Sequence, residues 1–309
     1  MASQRDVKNR IASVKNIQKI TRAMEMVAGA RLRRAEQRIA ALRPYADALR
    51  RMTRQAAQAA GAEATRLPLL SEHGSTDRVG LLLVTGDRGL AGGFNSQIIR
   101  AGVRISDVYA EDDVQTAWYA TGRRGVSSLT FRGRELDGSY TGFTDKPAYS
   151  DARSIADDLI TGYVDGGLDR VEIIYNAYIS PLTQQVKRET LLPLSHATIA
   201  AEESADGDSA DAGEPSDRSK IVQRALVDYE PDPEEILKRL VPDYVEISIY
   251  RALVESTAGF FGAQMTAMRS ASDNAGDIIT DLTLQMNRAR QAEITQEIME
   301  VVAGAEGLT

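Results

Sequence analysis

Both ends of the chain carry apolar residues at heptad spacing, and that pattern constrains the fold more than any other feature. Positions seven apart near the N-terminus are Val7, Val14, Thr21, Ala28, Ala35, Leu42, Leu49 and Ala56, apolar apart from Thr21. A second row adds Ile11, Leu32, Ile39 and Ala46, with polar breaks at Gln18 and Glu25. Such alternating spacing over several heptads is the seam of a coiled coil. Around Ile17, Ile20, Met24 and Val27 the apolar stripe shifts off the seam, and Pro44 inside the pattern should bend the helix or break it locally. From Tyr244 onward a matching row runs Ile247, Val254, Phe261, Met268, Ala275, Leu282 and Ala289, flanked by Met265, Ile279 and Met286. Pro242, just ahead of that row, suits a helix start. A helix of about sixty residues reaches about 90 Å, much longer than the helices of a compact domain. Two such helices at opposite ends of one chain pair most simply with each other, antiparallel. The alanines of the seam let their backbones approach closely.

The middle of the chain has a different period. Val79–Thr85, Val114–Ala120, Val171–Tyr178 and Gln185–Leu192 read as strands, with helical stretches near Asn95–Tyr109 and Asp151–Asp165 between them. Strands alternating with helices predict an α/β layer domain with a largely parallel sheet. The stretch from 200 to 219 is acidic, small and polar with nothing to bury, and is expected to be a disordered loop.

Charge is distributed unevenly along the chain. Residues 1 to 60 hold fourteen Lys or Arg against four Asp or Glu, whereas 202 to 217 hold seven acids and no base. A basic helix suits nucleic acid, a membrane surface, an acidic protein partner or simply solvent. Its only aromatic is Tyr45 and its bases are spread around the axis, so no nucleic-acid partner is expected. No apolar run approaches the ~20 residues that span a bilayer, and the polar start MASQRDVKNR has no apolar signal region, so secretion is not expected. Cysteine is absent, which excludes disulfides, thiolate metal sites and cysteine nucleophiles and fits a reducing cytoplasm.

One stretch invites a catalytic reading. "LLLVTGDRGLAGGFN", residues 81 to 95, places a glycine-rich turn between a strand and a helix, the parts of a phosphate cradle. Its glycines fall at 86, 89, 92 and 93, however, and match neither GxGxxG nor GxxxxGK followed by Ser or Thr. Asp87 puts negative charge where a phosphate would approach, partly offset by Arg88. A structural corner is therefore expected. The two histidines, His73 and His196, fall in expected loops without an HxxxH partner and read as solvated. The acid pairs Asp112–Asp113 and Asp157–Asp158 read as solvated too, and no GxSxG elbow occurs. No catalytic, cofactor or metal site assembles from these residues. A nucleotide-binding α/β enzyme whose flanking helices only oligomerise it stays open at this point, beside a non-catalytic interaction protein.

Four stretches carry a family resemblance. "IASVKNIQKITRAMEMVAGARLRRAE", residues 11 to 36, "TGDRGLAGGFN", "DYEPDPEEIL" from Asp228, and "NRARQAEITQEIMEVVAGAE", residues 287 to 306, resemble segments of the gamma subunit of F-type ATP synthases, in the same order. The resemblance implies a long antiparallel coiled coil of N- and C-terminal helices flanking a Rossmann-like α/β central domain. It also implies a central-stalk rotor that is not itself catalytic. In that family the coiled coil stands inside a hexamer of alternating alpha and beta subunits, and the beta subunits carry the nucleotide sites. Its foot joins the epsilon subunit and the membrane c ring, and proton flow turns ring and shaft. The rotor thereby regulates ATPase activity and proton flow.

On the same resemblance, Arg290, Gln291 and Thr295 match positions that meet the catch loops of the catalytic subunits, and Tyr229 and Glu230 match positions that touch the c ring. Met24, Val301, Val302 and Leu308 belong to the coiled coil and to the apolar tip inside the hexamer sleeve. The expected division is a helix over 1–60, a linker over 61–78, the α/β domain over 79–199 and the acidic loop over 200–219. A return segment with a c-ring-facing loop over 220–241 and the second helix over 242–309 complete it. No cofactor, metal or direct nucleotide binding is expected. The implied location is the cytoplasmic face of the bacterial plasma membrane, as a peripheral member of the complex. Ala91 stands where the family often has cysteine, and the acidic insert falls where chloroplast members carry a redox switch, which cannot operate without cysteine.

Overall fold

A computed structural model describes residues 4–61, 66–194 and 232–306. The acidic stretch 200–219, His196, Tyr229, Glu230 and Leu308 lie outside the described residues. Helix α1 (Gln4–Ala60) runs unbroken across Pro44. Helix α5 (Pro233–Glu306) is 74 residues long and starts earlier than the expected position at Pro242. The reason lies at Asp232, whose carbonyl accepts the amides of Glu235 and Ile236 at 2.9 and 3.1 Å. Pro233 then occupies the first helical position, where a missing N–H costs nothing. Pro242 sits inside the helix instead.

The two helices pack antiparallel. Pairings descend along α5 as they ascend along α1: the Gln18 amide donates to the Ser272 carbonyl at 3.3 Å, Arg269 bonds Glu25 at 2.8 Å, and Gly29 faces the Met265 sulfur. The heptad rows form the seam. Val7, Thr21, Ala28, Ala35, Leu49 and Ala56 of α1 are buried, as are Ile247, Val254, Phe261, Met268 and Ala275 of α5. Val14, Leu42, Leu282 and Ala289 are half-buried.

Between the helices lies the α/β domain. Its strands are β1 (Arg78–Val84), β2 (Gln115–Thr121), β3 (Leu136–Tyr140), β4 (Arg170–Tyr178) and β5 (Gln184–Leu192). They form one sheet in the order β3-β2-β1-β4-β5. All pairings are parallel except β4 with β5. Three helices, α2 (Phe94–Glu111), α3 (Arg123–Phe131) and α4 (Tyr149–Val164), connect the strands. Strand β3 and helix α3 escape the sequence pattern. The strand LDGSY has a glycine at its centre and no fully buried residue, and α3 is only 9 residues long.

Alternation along β1 assigns the sheet's two faces. Leu82 and Val84 pack with Ala152, Ile155 and Leu159 of α4 and with Val245, Ile249 and Leu253 of α5. Leu81 and Leu83 pack with Ile98 of α2, Leu129 of α3, Leu32 and Ala35 of α1, and Phe260 and Phe261 of α5. A third apolar cluster joins Ala46, Leu49 and Ala56 of α1 to Leu67, Leu194 and Leu237, Val241 and Tyr244 of α5. Burial on both faces explains why β1 reads as a continuous apolar run.

Candidate functional site

Two regions stand out: the glycine-rich corner, where the domain meets the shaft, and the far end of α5. At the corner the backbone leaves β1 at Thr85 and turns through Gly86–Gly93 into α2. The side chain of Asn95 closes this turn, accepting the Gly86 amide at 2.8 Å and donating to the Arg88 carbonyl at 3.1 Å. Leu90 and Gly92 both adopt positive φ, which the turn requires. Gly86 lies against the Phe260 ring, and Phe94 meets the same ring edge-on at 5.6 Å between centroids. The corner is therefore docked on α5.

Asp87, the acid that argued against a phosphate, is the hub of this corner. Its carboxylate accepts the amides of Gly142, Thr144 and Arg123 at 3.0, 3.2 and 3.1 Å, and the Thr144 hydroxyl at 2.8 Å. Burial pushes its carboxyl up, but the hydrogen bonds from Gly142, Thr144 and Arg123 together outweigh that and hold it below the ordinary carboxylate value. Asp87 thus fastens the turn after β3 over the end of β1. That turn reaches the shaft as well, because the Thr257 hydroxyl of α5 donates to the Thr144 carbonyl at 2.9 Å. An anion would meet a carboxylate already saturated with donors.

Further charged pairs lie where no motif pointed. Glu172 of β4, 1% exposed, accepts Arg188 at 2.7 and 2.8 Å and the Tyr109 hydroxyl at 2.8 Å. Burial, then the Glu172 charge, push the Tyr109 phenol up to about 12. Glu189 of β5 pairs with Arg251 of α5 and with Lys187; burial raises its carboxyl, yet those two cations bring it below the usual range. These residues tie the sheet to its helices. Their signal in the sequence, acids inside strand patterns, is shared by many solvent-facing strand residues. His73 corrects the expectation of a solvated loop histidine: its ring stacks on Tyr163 at 4.5 Å and its Nδ1 lies 3.1 Å from Asp169. Asp158 of the acid pair accepts the Tyr140 hydroxyl at 2.6 Å.

At the other end, α5 outruns α1. Gln18 faces Ser272 and Gly276, so the first described residue of α1, Gln4, reaches only to the neighbourhood of residues 286 to 290. Every residue from 290 to 303 is exposed. Ile294, Ile298, Val301 and Val302 recur at three-to-four spacing along this bare segment, at 46%, 57%, 72% and 48% exposure. Arg290, Gln291 and Thr295 are exposed on the same segment, and the Thr295 hydroxyl is turned back to the Gln291 carbonyl at 2.8 Å. Met24 is half-buried beside the seam, on a stripe whose other members, Ile17, Ile20 and Val27, are 52%, 59% and 53% exposed. Tyr229, Glu230 and Leu308 fall outside the described residues, so Met24 and the residues 290–302 are the part of the expected set that can be placed.

An exposed apolar stripe on a lone helix needs a covering surface, because a short helix gains little stability in water by itself. Among the described residues no helix is long and apolar enough to cross a membrane. The shape is a shaft with a bare end, clasped toward its opposite end by a domain.

The comparisons with known proteins agree with that shape. A family model described as ATP synthase matches residues 3–308. The ATP synthase gamma chain of Rubrobacter xylanophilus is 42% identical over 308 residues, covering 100% of this chain and 99% of the relative. That of Streptomyces coelicolor is 41% identical over 99% of this chain and 96% of its own, and that of Desulfitobacterium hafniense 40% identical over the full length of both. Among solved structures, a chain of the Euglena gracilis mitochondrial ATP synthase has a TM-score of 0.66 at 13% identity, covering 99% of this chain and 94% of that one. A chain of the Tetrahymena thermophila central stalk and c-ring has a TM-score of 0.57 at 23% identity, covering 82% of this chain and 99% of that one. These two likenesses concern the fold.

Proposed function

The chain belongs to the ATP synthase gamma chain family, and on that premise we propose that it is the central-stalk rotor of a bacterial proton-translocating ATP synthase. It couples rotation of the membrane c ring to the conformational cycle of the catalytic beta subunits and holds no active site of its own. The observation that carries this reading is the bare end of α5, a helix whose apolar stripe has no partner among the described residues. Seated in a sleeve of alpha and beta subunits, Val301 and Val302 present few directional bonds to break at each step, so the tip turns with little resistance. Arg290, Gln291 and Thr295, on the same exposed segment, supply the polar contacts with the catch loops. Met24 and the stripe around it add an apolar collar lower on the shaft.

A shaft drives the hexamer only if it is asymmetric, since a ligand or partner shifts a conformational equilibrium only through unequal contacts with the states. Two helices of unequal reach, one basic, supply that asymmetry. The α/β domain is the foot that binds the epsilon subunit, and Tyr229 and Glu230 in the return segment meet the c ring. The protein sits at the cytoplasmic face of the plasma membrane through these partners.

Reconstitution tests the reading. Purified with alpha and beta subunits, the full chain should restore ATP hydrolysis, and a variant ending at Arg290 should fold but fail to restore it. By itself the chain should neither bind nor hydrolyse ATP. Saturable nucleotide binding to the isolated chain, abolished by a Gly89 substitution, would overturn the reading in favour of an enzyme.

A further inference from the structure

The foot grips α5 with broad apolar surfaces, through Phe260, Phe261, Val245, Ile249 and Leu253. Its hold on α1 is narrower where the C-terminal ends of the parallel strands meet the shaft. There Leu32 and Ala35 enter the core, and two polar contacts flank them. Arg31 donates to Asp145 at 3.3 Å, in the turn that Asp87 fastens, while its guanidinium lies over the Phe261 ring of α5. Arg88 shares the same Asp145 oxygen at 3.4 Å. On the other side Glu36 accepts the hydroxyl of Tyr178, at the end of β4.

The angular order is what matters. At about 100° per residue, Arg31 and Glu36 project about 140° apart around α1, with Ala35 and Leu32 between them. From this arrangement we infer that Arg31–Asp145 and Glu36–Tyr178 form a two-sided clamp that fixes the rotational register of α1 against the foot. It is a positioning device for torque transfer and rests on the rotor reading above. Apolar contact at Leu32 and Ala35 holds the helix close but resists rolling poorly, because dispersion and burial are non-directional. A tie on each flank resists rolling in opposite senses. Asp87 makes the first tie stiff by anchoring the turn that presents Asp145. The first tie adds little stability, since Arg31 and Asp145 are partly exposed and such pairs contribute little to folding. Their contribution appears under load.

The test uses the complete ATP synthase in sealed vesicles, with Asp145→Ala and Tyr178→Phe singly and together. Both changes lie on the foot, so the shaft surface facing the hexamer is untouched. The proposal expects ATP hydrolysis per assembled complex to stay within about twofold of wild type, while protons pumped per ATP fall about threefold or more in the double variant. Each single variant should lose more coupling in one direction of turning, synthesis or hydrolysis, and the favoured direction should differ between them. A double variant with the wild-type pumping ratio, or single variants equally impaired in both directions, overturns the clamp. If the double variant assembles poorly, the single variants decide by the same ratio. Failure of the wild-type chain to restore hydrolysis and pumping would instead sink the rotor reading.

Discussion

At the residue scale, Asp87 shows how one side chain joins a loop reading to a mechanical role. It looked like an obstacle to a phosphate and serves as the anchor of a neighbouring turn. Because its folded-state pKa lies below the ordinary 3.8, its contribution to stability is present above that value and is lost as pH falls through the lowered one. Asp87→Asn should therefore lower stability at neutral pH and flatten the acid limb of the stability profile. Denaturant unfolding from about pH 3 to about pH 6 checks both effects. Gly122 nearby is fixed by space: its φ is +82°, and a Cβ would lie 2.3 Å from the Thr85 carbonyl oxygen. No sequence pattern marks that constraint, which arises from the next strand.

At the scale of elements, periodicity was a faithful guide where burial is one-sided and repeated. The rows Val7 to Ala56 and Ile247 to Ala275 identified the long helices because each helix buries one stripe along much of its length. The guide weakened where local chemistry competed with it. Pro242 looked like a start, yet Asp232 and Pro233 supply an earlier one, and tertiary packing of Tyr244 and Val241 carries the helix through the second proline. Strand β3 was invisible because an edge strand with Gly138 needs little apolar surface. The joint between elements is also testable. Phe260 touches both the corner and the apolar face of the sheet, so Phe260→Ala should cost about 3–5 kcal/mol by removing a buried ring. Thermal and denaturant melts measure that loss, and the two terminal helices should stay helical by circular dichroism under conditions where the chain remains folded.

At the scale of the whole molecule, the charge distribution separates α1 from the rest of the chain. The first sixty residues carry fourteen bases and four acids, and under the proposed rotor function this basic helix would complement acidic surface on the catalytic subunits. Association of the chain with alpha and beta subunits should slow by about tenfold or more between about 0.05 M and about 0.3 M salt, because exposed charges are screened over that range. Stopped-flow assembly measurements check this. Salt-independent association would assign the encounter to apolar contacts alone.

The amino-acid order alone determined the two long helices, the α/β layer between them and the family, since these follow from local periodicity and from contiguous motifs. It could not determine that Asp87 holds the turn after β3, that Glu172 and Glu189 are buried ion-pair centres, or that Arg31 and Glu36 flank one contact. Each of those depends on residues far apart in the chain meeting at one place. Their chemistry is ordinary in isolation and becomes specific only through position. The bare end of α5 lies between these cases: its apolar spacing is legible in the chain, but its exposure depends on how far the other helix reaches. That reach is set by the register of two antiparallel helices, which only the folded structure decides.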